Sequence, residues 1–196
     1  KINNVRFIEN SATNQGGGFY TQFNVIEIDS SLFSKNFAGH AGGLFTYNAQ
    51  VSCINTKFLS NNSYGEGGAI QIQDGSYTFD GLEIIENTGN KGGGVFIIGA
   101  AGNFKNSLIA KNSASDGGGL YFQNNSSTTR ELENLKIVEN TASEKGGGLY
   151  LWFSNVDISK TSIINNTANT GGAVFVPEGT KSVFSNTTIY GNSSQK

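Results

Sequence analysis

Two aspartates are the first residues in this sequence whose type and spacing suggest acid–base or metal chemistry. Asp29 and Asp80 occupy corresponding positions of a repeat, two repeats apart, with Asn55 between them and Lys105 beyond. Carboxylates cleave polysaccharides or hold calcium only when several ligands converge, and a separation of roughly 10 Å in stacked strands is too wide. We therefore expect a mixed polar surface column here and predict no catalytic residue, no metal site and no cofactor.

The other residues with reactive side chains stand alone in the sequence. His40 lies beside a Gly pair with no cysteine or second histidine near it, so we expect a solvent-facing turn residue. Cys53 is the only cysteine, which excludes an internal disulfide. The glycine-rich runs are not followed by Lys-Ser/Thr and a helix, as a phosphate-binding loop requires.

A repeat of 25 or 26 residues sets the positions of all these side chains. Each repeat carries an apolar residue, two variable positions and an Asn, followed five or six residues later by a Gly pair. The repeated Asn residues are Asn10, Asn36, Asn61, Asn87, Asn112, Asn140, Asn166 and Asn192. A fixed period of this size is typical of a solenoid.

Three apolar columns run through the aligned repeats. One column alternates after the Gly pair, as Phe45 and Tyr47 or Ile70 and Ile72 do, and this period of two is typical of a β-strand. A second column lies in mid-repeat and includes Ile54, and a third lies three residues before each Asn. The pattern predicts an all-β fold, a right-handed parallel β-helix (solenoid) of about 25 residues and three strands per coil.

We expect the repeated Asn residues to form a structural ladder inside a turn. In coils stacked about 4.8 Å apart, each side-chain amide can donate to the carbonyl oxygen of the next. Leaving such groups unpaired in the interior would cost about 1 to 3 kcal/mol each. The ladder therefore accounts for the Asn residues without assigning them to a binding site.

The chain is expected to form one structural unit. Residues 1–196 begin and end inside repeats without polar caps, which predicts a single β-helix segment of about seven to eight coils from a longer repeat protein. A polar stretch at 123–130 lengthens one repeat and is interpreted as an external loop. The net charge of −2 disfavours nucleic acid, and no apolar run is long enough to insert in a membrane as a helix.

The outward side of the first strand is where we expect a partner to bind. Its N-terminal half is mostly polar, with Thr46 and Asn48 in the second coil, and its C-terminal half is aromatic. The candidate binding residues are Phe96, Ile98, Tyr121, Tyr150, Trp152 and Phe175. Exposed aromatic patches mark contact surfaces. The alternative is that the rings only stack along parallel strands.

The sequence resembles a family of repeat proteins. Gly67-Gly68-Ala69-Ile70, preceded by Phe58-Leu59-Ser60-Asn61, is similar to the GGA(I/L/V) and FxxN repeats of the polymorphic outer-membrane proteins of chlamydiae. Phe7 to Asn10 and Phe33 to Asn36 also match FxxN, while most other coils have Ile for Phe and Gly-Gly-Gly for Gly-Gly-Ala. The resemblance implies an extracellular or cell-surface passenger domain that acts in adhesion, carried by a signal peptide and a membrane barrel.

Six N-glycosylation sequons occur in the chain. They begin at Asn61, Asn124, Asn125, Asn165, Asn186 and Asn192. Asn61 and Asn192 belong to the predicted ladder, which leaves Asn124, Asn125, Asn165 and Asn186 as possible sites. The alternative is chance, because a chain rich in Asn, Ser and Thr produces sequons without selection.

The function we predict is that of a non-enzymatic adhesin or structural scaffold acting through the aromatic face, with a protein or glycan partner. One alternative is a β-helix protein that binds or cleaves polysaccharides, since aromatic residues can pack on sugar rings. Another is a subunit of a filament or larger assembly, since a second, weaker apolar stripe from Ile8 to Tyr190 lies two positions before each Asn.

Overall fold

The computed structural model describes residues 1–194, and of residues 125–129 it describes the backbone alone. All strand pairs in this part of the chain are parallel, and the described residues include no helix. It follows that no described helix is long and apolar enough to cross a membrane. The coils stack into three sheets, named A, B and C below.

Sheet A is the widest of the three, because each coil contributes two segments that meet at a bend. Its strands are Ile2–Asn3, Phe19–Gln22, Val25–Asp29, Leu44–Ile54, Ile70–Asp80, Val95–Ile98, Ala101–Lys105, Leu120–Glu133, Leu149–Ser159, Val174–Phe175 and Ser182–Ser185. In four of the coils the two segments run on as one strand of 11 or 14 residues.

Sheets B and C are made of shorter strands. The strands of sheet B are Arg6–Ile8, Leu32–Ser34, Lys57–Leu59, Glu83–Ile85, Leu108–Ala110, Lys136–Val138, Ser162–Ile164 and Thr188–Tyr190. The strands of sheet C are Ser11–Gln15, Phe37–His40, Asn62–Ser63, Ser113–Asp116, Thr141–Lys145, Thr167–Ala168 and Ser193–Ser194. Bridges through Thr88 join the two halves of sheet C into one stack.

Single left-handed residues make the two sharp turns that flank sheet B. Before sheet C, for example, Glu9, Lys35 and Ser60 have φ values of 56°, 54° and 54°. Side chains other than Gly adopt this conformation at a cost of about 1 kcal/mol or more. Stacking offsets the cost, because each turn N–H donates to a carbonyl of the next coil, as from Glu9 to Ser34 at 3.0 Å.

The core is a column of apolar side chains enclosed by the three sheets. The column three residues before each Asn faces inward, and its first rings are stacked, with 4.5 Å between the centroids of Phe7 and Phe33 and 4.7 Å between Phe33 and Phe58. In mid-repeat the prediction was wrong in two coils. Cys53 points inward in one and Ile54 faces outward, paired with Asp29 and Asp80. In the last coil Val183, which the same column predicts to face inward, pairs with Asp157 and is exposed, while Phe184 pairs with the inward Ile158.

The second coil is also shifted by one residue relative to its prediction. Ala41, with φ of 52°, takes the left-handed position that Gly16 and Gly67 fill in neighbouring coils, so the glycines that follow it are the second and third of their set. Leu44 consequently pairs with Phe19 and Ile70. Since side chains alternate along a strand, a shift of one residue exchanges the two faces.

The Asn ladder runs without interruption from Asn10 to Asn192. At Asn112, Nδ2 donates to Asn140 Oδ1 and to the Ile84 carbonyl, each at 2.9 Å. Asn112 Oδ1 accepts from the N–H and from Nδ2 of Asn87, each at 2.9 Å. Every polar atom of this buried side chain is therefore paired within the stack.

A second, shorter ladder of hydroxyl groups lies between sheets A and B and was not predicted. Ser107 Oγ donates to the Lys105 carbonyl at 2.6 Å and accepts from the Leu82 N–H at 2.8 Å. Thr161 makes the same pair of bonds in a later coil. Its sequence signal is a Ser or Thr five residues before the ladder Asn, a position that Val or Leu fills in the remaining coils.

The polar stretch at 123–130 differs from the external loop that the sequence predicted. It lies within the strand Leu120–Glu133, whose pairing with the next coil shifts between Asn125 and Arg130. Arg130 is 1% exposed, and its Nε donates to the Ala100 carbonyl at 2.7 Å. Burial lowers the pKa of this guanidinium. Part of the predicted loop is thus anchored in the interior.

Candidate functional site

The outward face of the first segment of sheet A carries two columns of side chains. We call the inner one the ring column, and it consists of Tyr20, Phe45, Gln71, Phe96, Tyr121, Tyr150 and Phe175. Neighbouring rings lie 4.5 to 5.5 Å apart between centroids, and Gln71 is the one interruption among these seven. Because of the shift in the second coil, Phe45 belongs to this column, and Thr46 faces the core.

Most of the ring column is buried, so the prediction of an exposed aromatic stripe was wrong for its main members. Phe96, Tyr121 and Tyr150 are 3%, 2% and 1% exposed and form a hydrophobic cluster of their own outside the central core. Ile98 and Phe175 are partly buried against this cluster. Of the six predicted binding residues, Trp152 is the most accessible, at 40%.

A column of polar side chains at the end of sheet C covers the rings. We call it the polar wall, and it consists of Gln15, His40, Glu66, Lys91, Asp116 and Lys145. Lys91 Nζ lies 6.0 Å from the centroid of the Tyr121 ring, and Lys145 Nζ lies 5.3 Å from that of Phe175. The rings are buried because this strand end folds over a face that would otherwise meet solvent.

The polar side chains of the wall follow one another along the helix axis, and Glu66 contacts a neighbour on each side. His40 Nδ1 lies 2.6 Å from one oxygen of Glu66, and Lys91 Nζ lies 3.9 Å from the other. Asp116 follows, and burial raises the pKa of its carboxyl although Lys145 opposes the shift. The formal charges of the two acids and the two lysines cancel, so the wall is neutral overall.

The buried phenols beneath the wall are held in their neutral form. Tyr121 and Tyr150 share a side-chain hydrogen bond, and burial is the main reason that the pKa values of both are raised above their usual range. The charge of Asp116 raises the pKa of both phenols further. These hydroxyls therefore help to hold the rings in place and have no role as bases at neutral pH.

The second outward column, which we call the groove column, is more accessible than the first. It consists of Gln22, Tyr47, Gln73, Ile98, Gln123 and Trp152. Between this column and the polar wall runs a groove along the helix axis, and cavities in it are lined by Gln15, His40, Glu66, Gln73, Ile98 and Gln123 and, farther toward the N-terminus, by Tyr20, Gln22 and Tyr47.

Gln71 places an unpaired polar atom under the groove. Its side chain is buried between the rings of Phe45 and Phe96, and within the described part of the chain its Oε1 has no hydrogen-bond partner. A buried amide oxygen without a donor costs about 1 to 3 kcal/mol. A ligand that supplies a hydroxyl at this point would remove that cost.

The carboxylates of the chain are spread along columns. Asp29 and Asp80 are separated by Ile54, not Asn55 as predicted, and Lys105 follows. Glu66 borders the groove, and Asp116 lies two coils farther along the polar wall with Lys91 between them. Among the described residues no group of three His, Cys, Asp or Glu side chains is placed to hold a metal ion.

The buried cysteine and the sequons are not part of the groove, and two of the sequon Asn residues belong to the Asn ladder. Burial raises the pKa of the Cys53 thiol to about 12. Asn124, Asn165 and Asn186 are exposed at left-handed turns, whereas the side chain of Asn125 lies outside the described residues. Asn61 Nδ2 donates to the Phe33 carbonyl and to Asn87, and Asn192 Nδ2 donates to the carbonyls of Ile163 and Tyr190.

Comparison with known protein families identifies the family to which the fold belongs. Residues 42–195, more than three quarters of the chain, match the family model of the right-handed β-helix region. The chain belongs to this family. Residues 4–22 match the repeat of the Chlamydia polymorphic membrane proteins, which is the resemblance predicted from the GGA and FxxN motifs. No curated protein and no solved structure matches the chain.

The two matches confirm the predicted fold class and support the predicted resemblance. The β-helix is right-handed, about 26 residues separate equivalent positions, and its first repeat is like that of the polymorphic membrane proteins. These repeats cover the scaffold residues, namely the ladder Asn, the inward apolar residue and the Gly turn. The groove residues are not part of the GGA and FxxN motifs, which is why the motifs carry little information about what the groove binds.

Proposed function

We propose that this chain is a non-enzymatic adhesive segment of a surface-associated β-helix passenger domain, and that its partner lies in the groove of sheet A. The likeness of its first coil to the polymorphic membrane protein repeat supports surface association. The observation that carries the binding site is the groove column, an accessible row of amide and aromatic side chains on a rigid sheet. Flat aromatic groups beside hydrogen-bonding amides are typical of binding surfaces.

The ladders explain why such a segment serves as a scaffold. Both the Asn ladder and the inward apolar column repeat from coil to coil, so each coil is held by the next and the groove keeps a fixed shape along the axis. A preformed surface loses little conformational entropy on binding. The interaction then depends on side chains that point out of the sheet.

Retention of coated beads under flow tests this proposal. Beads carrying residues 1–196 are applied to surfaces coated with a panel of polysaccharides and extracellular proteins, next to beads carrying Tyr47→Ser/Trp152→Ser. We expect retention on at least one surface, its loss in the groove variant, and its preservation in Val25→Ser, an exposed position on the second segment of sheet A. Retention on no surface, or equal retention of the groove variant, would contradict the proposal.

Cleavage of a polysaccharide is the second candidate function, favoured by two carboxylates of the polar wall, Glu66 on the groove and Asp116 two coils farther along the wall. Two carboxyl groups on either side of a bound sugar are what glycoside hydrolysis requires. Against it, Glu66 is engaged by His40 and Lys91, and one oxygen of Asp116 is buried. New reducing ends released from the panel, and lost in Asp116→Asn, would establish the enzyme and overturn the non-enzymatic proposal.

A further inference from the structure

The groove column alternates in chemical type from coil to coil. Amide side chains occupy every second position, at Gln22, Gln73 and Gln123, and the positions between them are apolar or aromatic, at Tyr47, Ile98 and Trp152. The period is two coils, which is roughly 9.6 Å by the spacing of paired strands. The scaffold residues, namely the inward apolar residue and the ladder Asn, repeat with a period of one coil. The fold therefore does not require the two-coil period of the groove column.

A two-coil period along a straight axis fits a particular kind of ligand. In an extended chain of β-1,4-linked pyranose units, each unit advances by about one strand spacing and successive units are turned over. The same hydroxyl-bearing edge therefore returns at every second unit. A surface that alternates hydrogen-bonding amides with apolar or aromatic side chains can engage each edge and each ring face in turn.

The charges along the groove favour a neutral chain. Glu66 and Asp116 are balanced by Lys91 and Lys145, and the groove column itself carries no charge. An anionic polymer would meet two carboxylates on the wall and gain no net attraction. A hydroxyl-rich ligand, in contrast, supplies donors to the amide oxygens and to the buried Gln71 Oε1.

We infer that the groove binds an extended, neutral β-1,4-linked glycan that runs parallel to the helix axis, with one sugar unit to each coil from Gln22 to Trp152. This inference names the partner of the groove and rests on the proposed adhesive function. Gln22, Gln73 and Gln123 bind hydroxyl groups, while Tyr47, Ile98 and Trp152 pack against ring faces. Both aqueous oligomers and the surface of an insoluble β-1,4-glycan present this chemistry.

Calorimetric titration of residues 1–196 with cellohexaose and chitohexaose tests the inference, with maltohexaose and hexagalacturonate as controls for linkage geometry and charge. We expect saturable binding of at least one neutral β-1,4 hexamer, with the α-1,4 and anionic hexamers bound at least tenfold more weakly. Gln73→Leu removes one amide from the alternation and is expected to weaken binding about tenfold, the loss of a hydrogen bond worth roughly 1.4 kcal/mol. Gln50→Leu changes an exposed glutamine on the second segment of sheet A and should leave binding unchanged.

The outcomes separate this inference from the proposed function. Equal binding of all four hexamers, binding of hexagalacturonate alone, or full affinity in Gln73→Leu would overturn it. If beads are held through the groove on a protein surface and none of the hexamers binds, the adhesive function stands and the glycan inference fails. If no surface retains the beads through the groove, the proposed function itself fails.

Discussion

Removing one rung from the middle of the Asn ladder should destabilise the β-helix severely. Asn112→Ala deletes four hydrogen bonds of 2.9 Å and leaves the buried N–H of Asn87 without its acceptor. At about 1 kcal/mol for each of the other three bonds and 1 to 3 for the orphaned donor, the free energy of unfolding should fall by about 4 to 6 kcal/mol. Single-domain proteins are stable by only about 5 to 15 kcal/mol, so a large share of the total would be lost.

Urea denaturation followed by circular dichroism measures this loss, with Asn103→Ala, an exposed position on sheet A, as the matched control. The control should change stability by less than about 0.5 kcal/mol. A loss below about 1 kcal/mol in Asn112→Ala, equal to that of the control, would refute the assignment of the ladder as the element that holds the coils together.

The pH dependence of the stability of Asn112→Asp tests the donor and acceptor directions of the hydrogen bonds in the Asn ladder. The carboxylate would face the Ile84 carbonyl and Asn140 Oδ1, both acceptors in the present ladder, so its folded pKa should lie above the unfolded value of about 3.9. An acid with a raised folded pKa stabilises below its unfolded pKa, and this contribution is lost as pH rises through the folded pKa. The variant should therefore be most stable near pH 3 to 4 relative to the parent, and a penalty independent of pH would contradict the reasoning.

Four further predictions concern single positions. Phe58→Ala, which removes a fully buried stacked ring, should lower the free energy of unfolding by about 3 to 5 kcal/mol in the same urea assay. Ala41→Gly should raise the free energy of unfolding by up to about 1 kcal/mol, because φ is 52° at this position. Gly67→Ala should lower the free energy of unfolding, because its Cβ would clash with the Ile70 carbonyl. The opposite signs would contradict the assignment of these residues to the turn. Tyr121→Phe should leave the phenolate absorbance titration unchanged up to pH of about 10, since the pKa of this phenol is raised. The folded protein should resist a thiol reagent at pH 8 and react in urea, because burial raises the pKa of Cys53 to about 12; rapid labelling without urea would show that the core opens.

The fold was predictable because the repeat specifies the scaffold residues. Each ladder Asn, each inward residue three positions earlier and each Gly turn recurs at a fixed spacing, and a parallel stack is the arrangement that brings such residues into register. The predicted positions after the Gly turn failed where a coil departs from the Gly pattern. In the second coil Ala41 replaces the first glycine, so counting from the first visible Gly placed Phe45 on the wrong face.

The site was predicted less completely because burial depends on what lies over a strand. Alternation showed that Phe96, Tyr121 and Tyr150 face out of the core, but not that the end of sheet C folds over them. Arg130 was missed for a similar reason, since a charged residue in a polar stretch gives no sequence signal of burial. The alternation of the groove column was present in the sequence but required the corrected register of Tyr47 to be visible.

The fluorescence of Trp152 gives the most direct measurement of whether the groove of sheet A is the binding surface. Trp152 is the only tryptophan of the chain, and it lies at one end of the groove column at 40% exposure. During titration with cellohexaose, we expect a saturable shift of its emission to shorter wavelength that follows the calorimetric binding curve, because a bound sugar would displace water from the indole. Calorimetric binding with an unchanged emission spectrum would place the ligand elsewhere and contradict the assignment of the groove.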